Sequence, residues 1–332
     1  LTKLSIKSEI ASDTPNKYEK VSAKKMTNNI VSTNKKEPNQ VNNRDKKQNL
    51  ESDPYGHNYV KDLIECVNFN KPNFNSPIAS RVIPLDGVDS TNEYFNKFPY
   101  LPSGSIVVAR RQSEGKGQRL RKWVSNTGGL YASFKLVFVE NNNIQIKNIF
   151  WIQAALGVSA SHALEELGLK PIIKWPNDIL LSNKKVSGIL GESTTGNQGF
   201  VVILGIGMNV DNDLTEILNL FPELNEKITT IHNELIIQGI ESSHKDLRIN
   251  LFEKILRNLD YFWSNNFSLD LIKSDWLKYS DVINKKIRYL DSENKKHEAK
   301  VHDISEFGSL IVIEANGEQK ELVVGDIELI KE

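Results

Sequence analysis

The first 53 residues set the strongest limit on the fold, because they cannot contribute a hydrophobic core. This segment is rich in Lys, Asn and Ser, carries 11 basic and 7 acidic residues, and has Tyr18 as its only aromatic side chain. A chain of this composition buries too little apolar surface to offset its loss of conformational entropy. The sequence therefore predicts a low-complexity, disordered leader over residues 1–58 and a folded protein that begins near residue 59.

The composition of the whole chain excludes several classes of protein. Its 332 residues include 42 basic and 42 acidic side chains, which argues against a surface-wide field for nucleic acid. One cysteine, Cys66, excludes a disulfide framework and a cysteine-cluster zinc site, and fits a reducing compartment. No apolar run approaches the roughly 18 residues of a transmembrane helix. We expect a soluble, cytoplasmic protein with no membrane partner. Because the chain begins with Leu1, organellar targeting stays open.

Apolar patterns between residues 78 and 281 predict a mixture of strands and helices. An amphipathic period of 3.6 residues predicts helices at 150–167, 246–263 and 269–279. A shorter helix follows Asp89, Ser90 and Thr91, each of which can cap it. Apolar and β-branched runs predict an extended segment at 78–89 and strands at 105–110, 130–139, 172–175, 179–181, 186–192 and 200–210.

The chain from Val282 onward consists of short strands and turns. Asn316-Gly317 is a strong hairpin signal between two of them. This pattern predicts a separate small β-barrel of about 50 residues. Its strands are expected at 287–290, 299–304, 310–314, 321–324 and 327–330.

A basic loop punctuated by glycine follows the strand at 105–110. Gly115 and Gly117 allow close approach of a ligand to the backbone, since neither has a Cβ. Lys116, Arg119, Arg121 and Lys122 place four cations within seven residues. Backbone N–H groups and fixed cations both favour phosphate oxygens. The loop is neither a P-loop nor a dinucleotide fingerprint, and an exposed basic turn is the alternative interpretation.

Four motifs follow one another along the chain. They are Asp-Ser-Thr-Asn at 89–92, the basic loop at 115–123, Lys-Trp-Pro-Asn-Asp at 174–178 with Lys-Val-Ser-Gly at 185–188, and Gly-Ile-Gly-Met-Asn at 205–209. In this order and spacing the chain resembles the biotin protein ligases, which include holocarboxylase synthetases. The resemblance covers roughly residues 80–330.

The resemblance implies an α+β fold with two domains. Residues 59–281 would form a catalytic domain related to class II aminoacyl-tRNA synthetases, on a mixed, largely antiparallel sheet, and residues 282–332 an SH3-like β-barrel. The implied reaction uses ATP and Mg²⁺ to convert biotin to biotinyl-5′-AMP. A lysine of a biotin carboxyl carrier domain then displaces AMP. A homodimer is compatible with the resemblance, and the acceptor carboxylase is not specified by it.

The resemblance also assigns the biotin site residue by residue. Ser90, Thr91 and Asn92 would bind the ureido ring, although helix capping alone explains the first two. Trp123 is expected to be a packing anchor. The other residues expected to contact biotin are Gln112, Gly115, Lys116, Gly117, Gln118, Lys185, Gly188, Leu190, Gly205 and Gly207.

The nucleotide side of the implied site is mainly cationic. Lys185 would lie between the biotin carboxylate and the α-phosphate as the main electrostatic catalyst; without the motif it would be an ordinary surface lysine. Asp178 would help to order Mg²⁺, held mostly by ATP phosphates, and to position the incoming amine. Arg119 and Arg121 are expected to be catalytic through the phosphates, with solvated charge as the alternative. The ATP-binding set is Lys116, Gln118, Arg119, Arg121, Lys174, Asn177 and Asn209, with Thr229 and Thr230 expected in an adenine-side loop.

The basic loop departs from the family pattern Gly-Arg-Gly-Arg-x-Gly-Arg. Lys116 keeps a charge but lacks the bidentate guanidinium, Gln118 removes a cation, and Leu120 replaces a glycine. We therefore predict weaker retention of the adenylate than an all-arginine loop would give.

Three other functions compete with this interpretation. A lipoate or octanoate ligase shares the adenylation chemistry, but the polar set at 90–92 and Gln112 suits a ureido ring better than a dithiolane. A DNA-binding regulator would need a winged helix, and the leader lacks the apolar periodicity of one, so DNA is not an expected partner. A nucleotide-binding module without catalysis requires that Lys185 be dispensable.

Overall fold

The computed structural model describes residues 78–138, 149–196, 199–241, 244–291, 295–323, 325 and 327–330. The predicted leader and Cys66 lie outside these residues. Within the described ranges, no helix combines the length and apolar character needed to cross a bilayer.

A seven-stranded sheet forms the centre of the fold. Its strands are β1 (Arg81–Leu85), β2 (Ser105–Ala109), β3 (Leu130–Phe138), β4 (Ile172–Lys174), β5 (Asp178–Leu181), β6 (Lys184–Gly196) and β7 (Gly199–Met208). The spatial order is β1-β2-β3-β7-β6-β5-β4. β1 pairs with β2 in parallel, and the other neighbouring strands are antiparallel. The prediction of a mixed, largely antiparallel sheet is therefore confirmed.

The hairpin of β5 and β6 determines where the second lysine motif lies. Its turn consists of Ser182 and Asn183, whose φ angles of 48° and 62° are both in the left-handed region. Two left-handed residues form the turn that matches the twist of an antiparallel pair. Lys185 consequently lies one residue inside β6 and pairs with Leu180.

The helices cover both faces of this sheet. They are α1 (Thr91–Lys97), α2 (Ile149–Glu165), α3 (Thr215–Leu220), α4 (Ile231–Ile237), α5 (His244–Ser264) and α6 (Leu269–Tyr279). α2 is buried on nearly all sides, because it packs on the sheet and is covered by α5 and α6. The three long helices were predicted from periodicity. The six- and seven-residue helices α3 and α4 were not, because they are too short to show a full amphipathic stripe.

Helix α1 lies on the opposite face from α2 and begins the first motif. Phe95 packs with Leu101, Val107 and Ile203 in an apolar cluster separate from the main core. The backbone N–H of Glu93 donates to the Ser90 hydroxyl at 3.5 Å, so Ser90 is the N-cap. This cap starts the helix at Thr91, as the sequence predicts.

The C-terminal strands form a second, five-stranded antiparallel sheet. They are β8 (Lys286–Leu290), β9 (Lys296–Ile304), β10 (Leu310–Glu314), β11 (Gln319–Leu322) and β12 (Ile327–Leu329), in the order β11-β10-β9-β8-β12. Gly317 has φ of 82° in the predicted hairpin turn between β10 and β11. The prediction of a closed barrel needs correction: among the described residues the short strands β11 and β12 pair on one side only and remain sheet edges.

Two tryptophans attach this small sheet to the large one. The indole N–H of Trp151 donates to the Glu306 carbonyl at 2.7 Å, and that of Trp175 donates to the Gly308 carbonyl at 2.9 Å. Gly308 has φ of 82°, and a Cβ there would lie 2.0 Å from the Phe150 ring. The loop between β9 and β10 therefore requires glycine to reach the Lys-Trp-Pro-Asn-Asp motif.

Candidate functional site

The four sequence motifs meet around one cavity of about 240 Å³. Most of the residues expected to bind ligand line it: Ser90, Thr91, Asn92, Gln112, Lys116, Gly117, Gln118, Arg121, Lys174, Asn177, Asp178, Lys185, Gly188, Leu190, Gly205, Gly207 and Asn209. Gly115 and Arg119 belong to the same loop but lie outside this lining. Ser90 and Asn209, 119 positions apart in sequence, are thus brought to one cavity by the sheet.

One end of the cavity is lined by a buried network of hydroxyl and amide groups. The Gln112 side-chain oxygen accepts from the Thr91 backbone N–H at 2.8 Å, and its amide nitrogen donates to Ser125 at 2.8 Å. The Ser133 hydroxyl oxygen is 2.6 Å from Asn92 Oδ1 and 2.7 Å from Thr91 Oγ1. Thr91 and Asn92 are 4% and 3% exposed, so their donors and acceptors are held in position before a ligand arrives.

Glycines let two side chains lie directly on the sheet beside this network. A Cβ at Gly205 would lie 2.2 Å from Asn92 Oδ1, and one at Gly207 would lie 2.5 Å from Trp123 Nε1. Gly188 is similarly covered, with 3.0 Å from its would-be Cβ to the Trp123 ring. The glycine pattern inside β7 therefore reflects close approach of side chains, as the sequence indicates. Trp123 also lines the cavity.

The basic loop folds back on itself next to the cavity. The backbone N–H of Gly117 donates to the Arg121 carbonyl at 2.7 Å, and that of Trp123 to the Gly115 carbonyl at 2.8 Å. A Cβ at Gly115 would lie 2.3 Å from the Trp123 carbonyl oxygen, so this glycine is needed for the loop's own packing. At the tip, Leu120 has φ of 61° and is fully exposed.

Lys116 points toward carboxylates at the start of α1. Its Nζ is 2.5 Å from Glu93 and 3.9 Å from Glu192. The hydrogen bond with Lys116 lowers the pKa of the Glu93 carboxyl group, and the same bond raises the pKa of Lys116. This ion pair ties the basic loop to α1 beside Asn92.

The other end of the cavity is cationic. Among the described residues, its lining includes Arg121, Lys122, Lys174 and Lys185 and one carboxylate, that of Asp178. Such an excess of positive charge in a partly enclosed cleft attracts a polyanion.

Lys185 and Asp178 form an ion pair at this cationic end. Lys185 Nζ lies 2.7 Å from Asp178 Oδ1 and 5.3 Å from the centre of the Trp123 ring. The Lys185 backbone is held on one side by the segment before α4, where its N–H donates to the Lys227 carbonyl at 2.8 Å and its carbonyl accepts from the Thr229 N–H at 3.1 Å. On the other side it pairs with β5. The ammonium group therefore projects from a rigid strand toward the middle of the cavity.

Asn177 and Asn209 are held by the backbone next to this ion pair. The Asn177 amide donates to the Ile189 carbonyl at 2.7 Å, and the Asn209 N–H donates to the Val186 carbonyl at 2.7 Å. No group of three or more His, Cys, Asp or Glu side chains suited to a metal is found in the described parts of the chain.

An apolar wall beside the cationic end was not anticipated from the sequence. Thr229 and Thr230, expected at this side, are buried in hydrogen bonds with α4 and do not line the cavity. Instead, aliphatic and aromatic side chains from the α3 region, the following segment and β12 do so: Ile217, Phe221, Leu224, Ile228 and Ile327. A flat apolar surface next to fixed cations suits a ring attached to phosphates.

The sheet and cavity together define a small-molecule site with one polar end and one cationic end. Comparison with known proteins agrees with this description. Residues 85–209 match the biotin/lipoate A/B protein ligase family, and residues 282–330 match the biotin protein ligase C terminal domain.

Individual relatives extend this match along the chain. It is 30% identical to the bifunctional ligase/repressor BirA of Bacillus spizizenii, over 76% of this chain and 75% of that protein. The corresponding protein of Salmonella typhimurium is 29% identical over 64% of this chain, which spans 63% of that relative's length. A solved structure of the biotin protein ligase from Aquifex aeolicus in complex with biotin and ATP has a TM-score of 0.58 and 29% identity, covering 76% of this chain and all of that one. The chain belongs to the biotin protein ligase family.

Proposed function

We propose that the chain is an ATP-dependent ligase that activates biotin as biotinyl-5′-AMP and transfers it to a lysine of a biotin carboxyl carrier domain. The observation that carries this proposal is the polarity of one cavity, with the paired Thr91, Asn92 and Gln112 at one end and Lys185 at the other. A ureido bicycle matches the first end, a valeryl chain matches the glycine-floored slot between them, and a carboxylate meets the ammonium group.

In the first step a biotin carboxylate oxygen attacks the α-phosphorus of ATP, and the bond to the bridging oxygen breaks to release pyrophosphate. Two anions must be held together for this attack, and Lys185 is suited to neutralise both. Arg121, Lys122 and Lys174 line the same end and can hold phosphate oxygens. Mg²⁺, brought mainly by the ATP phosphates with Asp178 as a protein ligand, would neutralise phosphate charge.

In the second step an acceptor lysine amine attacks the carbonyl carbon of the mixed anhydride, and AMP leaves as an amide forms. The attacking amine must be neutral, and the amide nitrogen loses a proton as it forms. Asp178 is the carboxylate at that end of the cavity, so we assign it the positioning of this amine. The chemistry needs no covalent enzyme intermediate.

In this proposal residues 59–281 form the catalytic domain and residues 282–332 the C-terminal domain. The reaction uses ATP and a protein acceptor, and we place it in the cytoplasm. A lipoate ligase is the second candidate, but the dithiolane ring has no N–H donors or carbonyl to pair with Asn92 and Gln112, which would leave buried polar groups unsatisfied.

ATP–pyrophosphate exchange with biotin, lipoate or octanoate tests the proposal. We expect exchange with biotin, reduced about 10²–10³-fold by Lys185→Ala because a preorganised charge is removed. Lys184→Ala is the matched control, since Lys184 precedes it in β6 but does not line the cavity. Exchange with lipoate in place of biotin would overturn the substrate. Unchanged exchange in Lys185→Ala would overturn the role of that lysine.

A further inference from the structure

Glu192 is an acidic residue of β6 that contacts Asn92, a residue at the polar end of the cavity. Its Oε2 accepts a hydrogen bond from the Asn92 amide nitrogen at 2.7 Å. Its other oxygen is 3.9 Å from Lys116 Nζ. Glu192 is not part of the cavity lining, whereas Asn92 is. It therefore acts on a ligand only through Asn92 or through the basic loop.

The carboxylate decides which way the Asn92 amide points. An amide has a donor side and an acceptor side that are nearly equal in shape, and its orientation follows from its hydrogen-bond partners. On its other side Asn92 meets the Ser133 hydroxyl, 2.6 Å from Oδ1, and a hydroxyl can donate or accept. Glu192 can only accept, so the NH₂ group must face it and Oδ1 must face Ser133 and the sheet.

The orientation of the Asn92 amide also determines where the neighbouring hydroxyl groups donate their protons. The Ser133 hydroxyl has one proton, which goes to Asn92 Oδ1 because that atom can only accept. Thr91 Oγ1, 2.7 Å from the Ser133 hydroxyl, donates its own proton to Gln112 Oε1 at 3.2 Å, because that amide oxygen can only accept. The remaining lone pairs of Asn92 Oδ1 and Thr91 Oγ1 are left as acceptors. This end of the cavity is thereby prepared for a ligand that offers N–H donors.

We propose that Glu192 is a positioning residue that sets substrate specificity: by orienting the Asn92 amide, it makes the polar end of the cavity select a ring that donates N–H hydrogen bonds. The inference rests on the proposed function, and it adds the origin of selectivity for the cyclic urea. It requires no contact between Glu192 and the substrate.

The isosteric change Glu192→Gln tests this role. A glutamine can donate or accept, so Asn92 is free to turn over and present its NH₂ group. The substrates are biotin and an analogue whose two ureido N–H groups are replaced by ring oxygens. The unchanged enzyme should favour biotin in kcat/KM of exchange by about 10⁴-fold, because the analogue leaves buried acceptors unpaired. In Glu192→Gln we expect this ratio to fall at least about ten-fold, mainly through KM for biotin.

Two further variants separate orientation from a general disturbance. Glu93→Gln is the matched control: Glu93 is the closer carboxylate to Lys116, at 2.5 Å, and it accepts hydrogen bonds from Lys116 and Asn96. We expect its selectivity ratio to match the unchanged enzyme. The exchanged pair Asn92→Asp with Glu192→Gln keeps the total charge and restores an acceptor-only group toward the cavity. It should recover the ratio to within about three-fold.

Each outcome decides between the alternatives. If the unchanged enzyme shows no biotin-dependent exchange, the proposed function fails. If exchange is present and Glu192→Gln keeps the full ratio, the role of Glu192 is wrong. A fall of equal size in Glu93→Gln would mean that Glu192 acts through Lys116 and the loop, which also overturns the proposal. If Glu192→Gln unfolds, the exchanged pair still decides, because only the orientation argument expects its selectivity to be restored.

Discussion

The two ends of the cavity are built in different ways. At the polar end, Thr91 and Asn92 are almost completely buried, and both side chains are held by hydrogen bonds to neighbouring groups. At the cationic end, the side chain of Lys185 is 31% exposed, and Arg121 and Lys122 lie on an exposed loop. Buried polar networks lose much when one partner is removed, whereas exposed charges lose little. The polar end should thus be rigid and selective, and the cationic end tolerant of change.

The largest expected effect comes from placing a methyl group at the polar end. In Gly205→Ala the new Cβ would lie 2.2 Å from Asn92 Oδ1, and neither β7 nor the buried amide has room to move. Overpacking of this kind costs about 1–3 kcal/mol, and biotin binding should fall about 10²-fold or more. Calorimetric titration with biotin and thermal unfolding measure the two effects. Gly325→Ala, with no atom within 4 Å of its Cβ, is the control; equal behaviour of the two variants would contradict a rigid polar end.

The next effect concerns the one carboxylate at the cationic end. Asp178→Asn removes the charge that meets Lys185 at 2.7 Å and that we assign to the incoming amine. We expect transfer to a carrier domain to slow by about 10²-fold, and pyrophosphate exchange to fall by less, because in the first step Asp178 acts only through Lys185 and the phosphate-bound metal. Single-turnover transfer from preformed adenylate separates the steps. Asp213→Asn serves as control, since its exposed carboxylate accepts from the Thr215 backbone N–H outside the cavity. A normal rate of transfer in Asp178→Asn would show that Asp178 does not position the incoming amine.

A smaller effect is expected at the loop residue that departs from the family pattern. Gln118 lines the cavity next to Arg121, so Gln118→Arg adds a cation near the phosphate. A charge-assisted hydrogen bond of this type should slow release of biotinyl-5′-AMP by about ten-fold. Release is followed by trapping the free adenylate after one turnover. Gln238→Arg, an exposed position outside the cavity, controls for net charge. Equal or slower release from the unchanged enzyme would contradict the predicted leakiness.

The smallest effect should come from the ion pair between Lys116 and Glu93. Their side chains are 40% and 32% exposed, so Glu93→Gln should cost only about 0.2–1 kcal/mol. Because the folded-state pKa of Glu93 is lowered, its contribution is present above the ordinary value of 4.5 and disappears as the pH falls through the lowered value. The thermal unfolding midpoints of the unchanged enzyme and of Glu93→Gln should therefore become equal at acidic pH. A difference that persists at the lowest pH would show that the carboxylate acts by another route.

The sequence predicts the polar end better than the cationic end, for physical reasons. The cap at Ser90 and the glycines of β7 have signatures in the neighbouring sequence, so local patterns reveal them. The apolar wall at Phe221 and Ile327 depends on segments about 100 residues apart, which only the folded chain brings together. Glu192 was seen as the end of a strand, and its partnership with Asn92, 100 positions earlier, has no local signature.

The length of β6 and the open edges of the C-terminal sheet also could not be predicted from local sequence patterns. β6 continues to Gly196, beyond the predicted end at Glu192, because its exposed residues Thr194 and Thr195 pair with β7. Alternation of apolar residues cannot report a strand segment that is held by backbone pairing alone. In the C-terminal sheet the five strands were predicted from turns and β-branched residues, while the open edges at β11 and β12 depend on which strands meet.

The indole N–H groups of Trp151 and Trp175 connect the C-terminal segment to the part of the fold that carries the cavity. Both side chains are at most 2% exposed, and each hydrogen-bonds a carbonyl of the loop before β10. A shortened chain that ended before β8 would leave two N–H groups without acceptors, at about 1–3 kcal/mol each. One of them belongs to the strand-to-turn segment that carries Asn177 and Asp178. A change in the length of that distant loop is therefore a way to impair catalysis without altering any residue of the cavity.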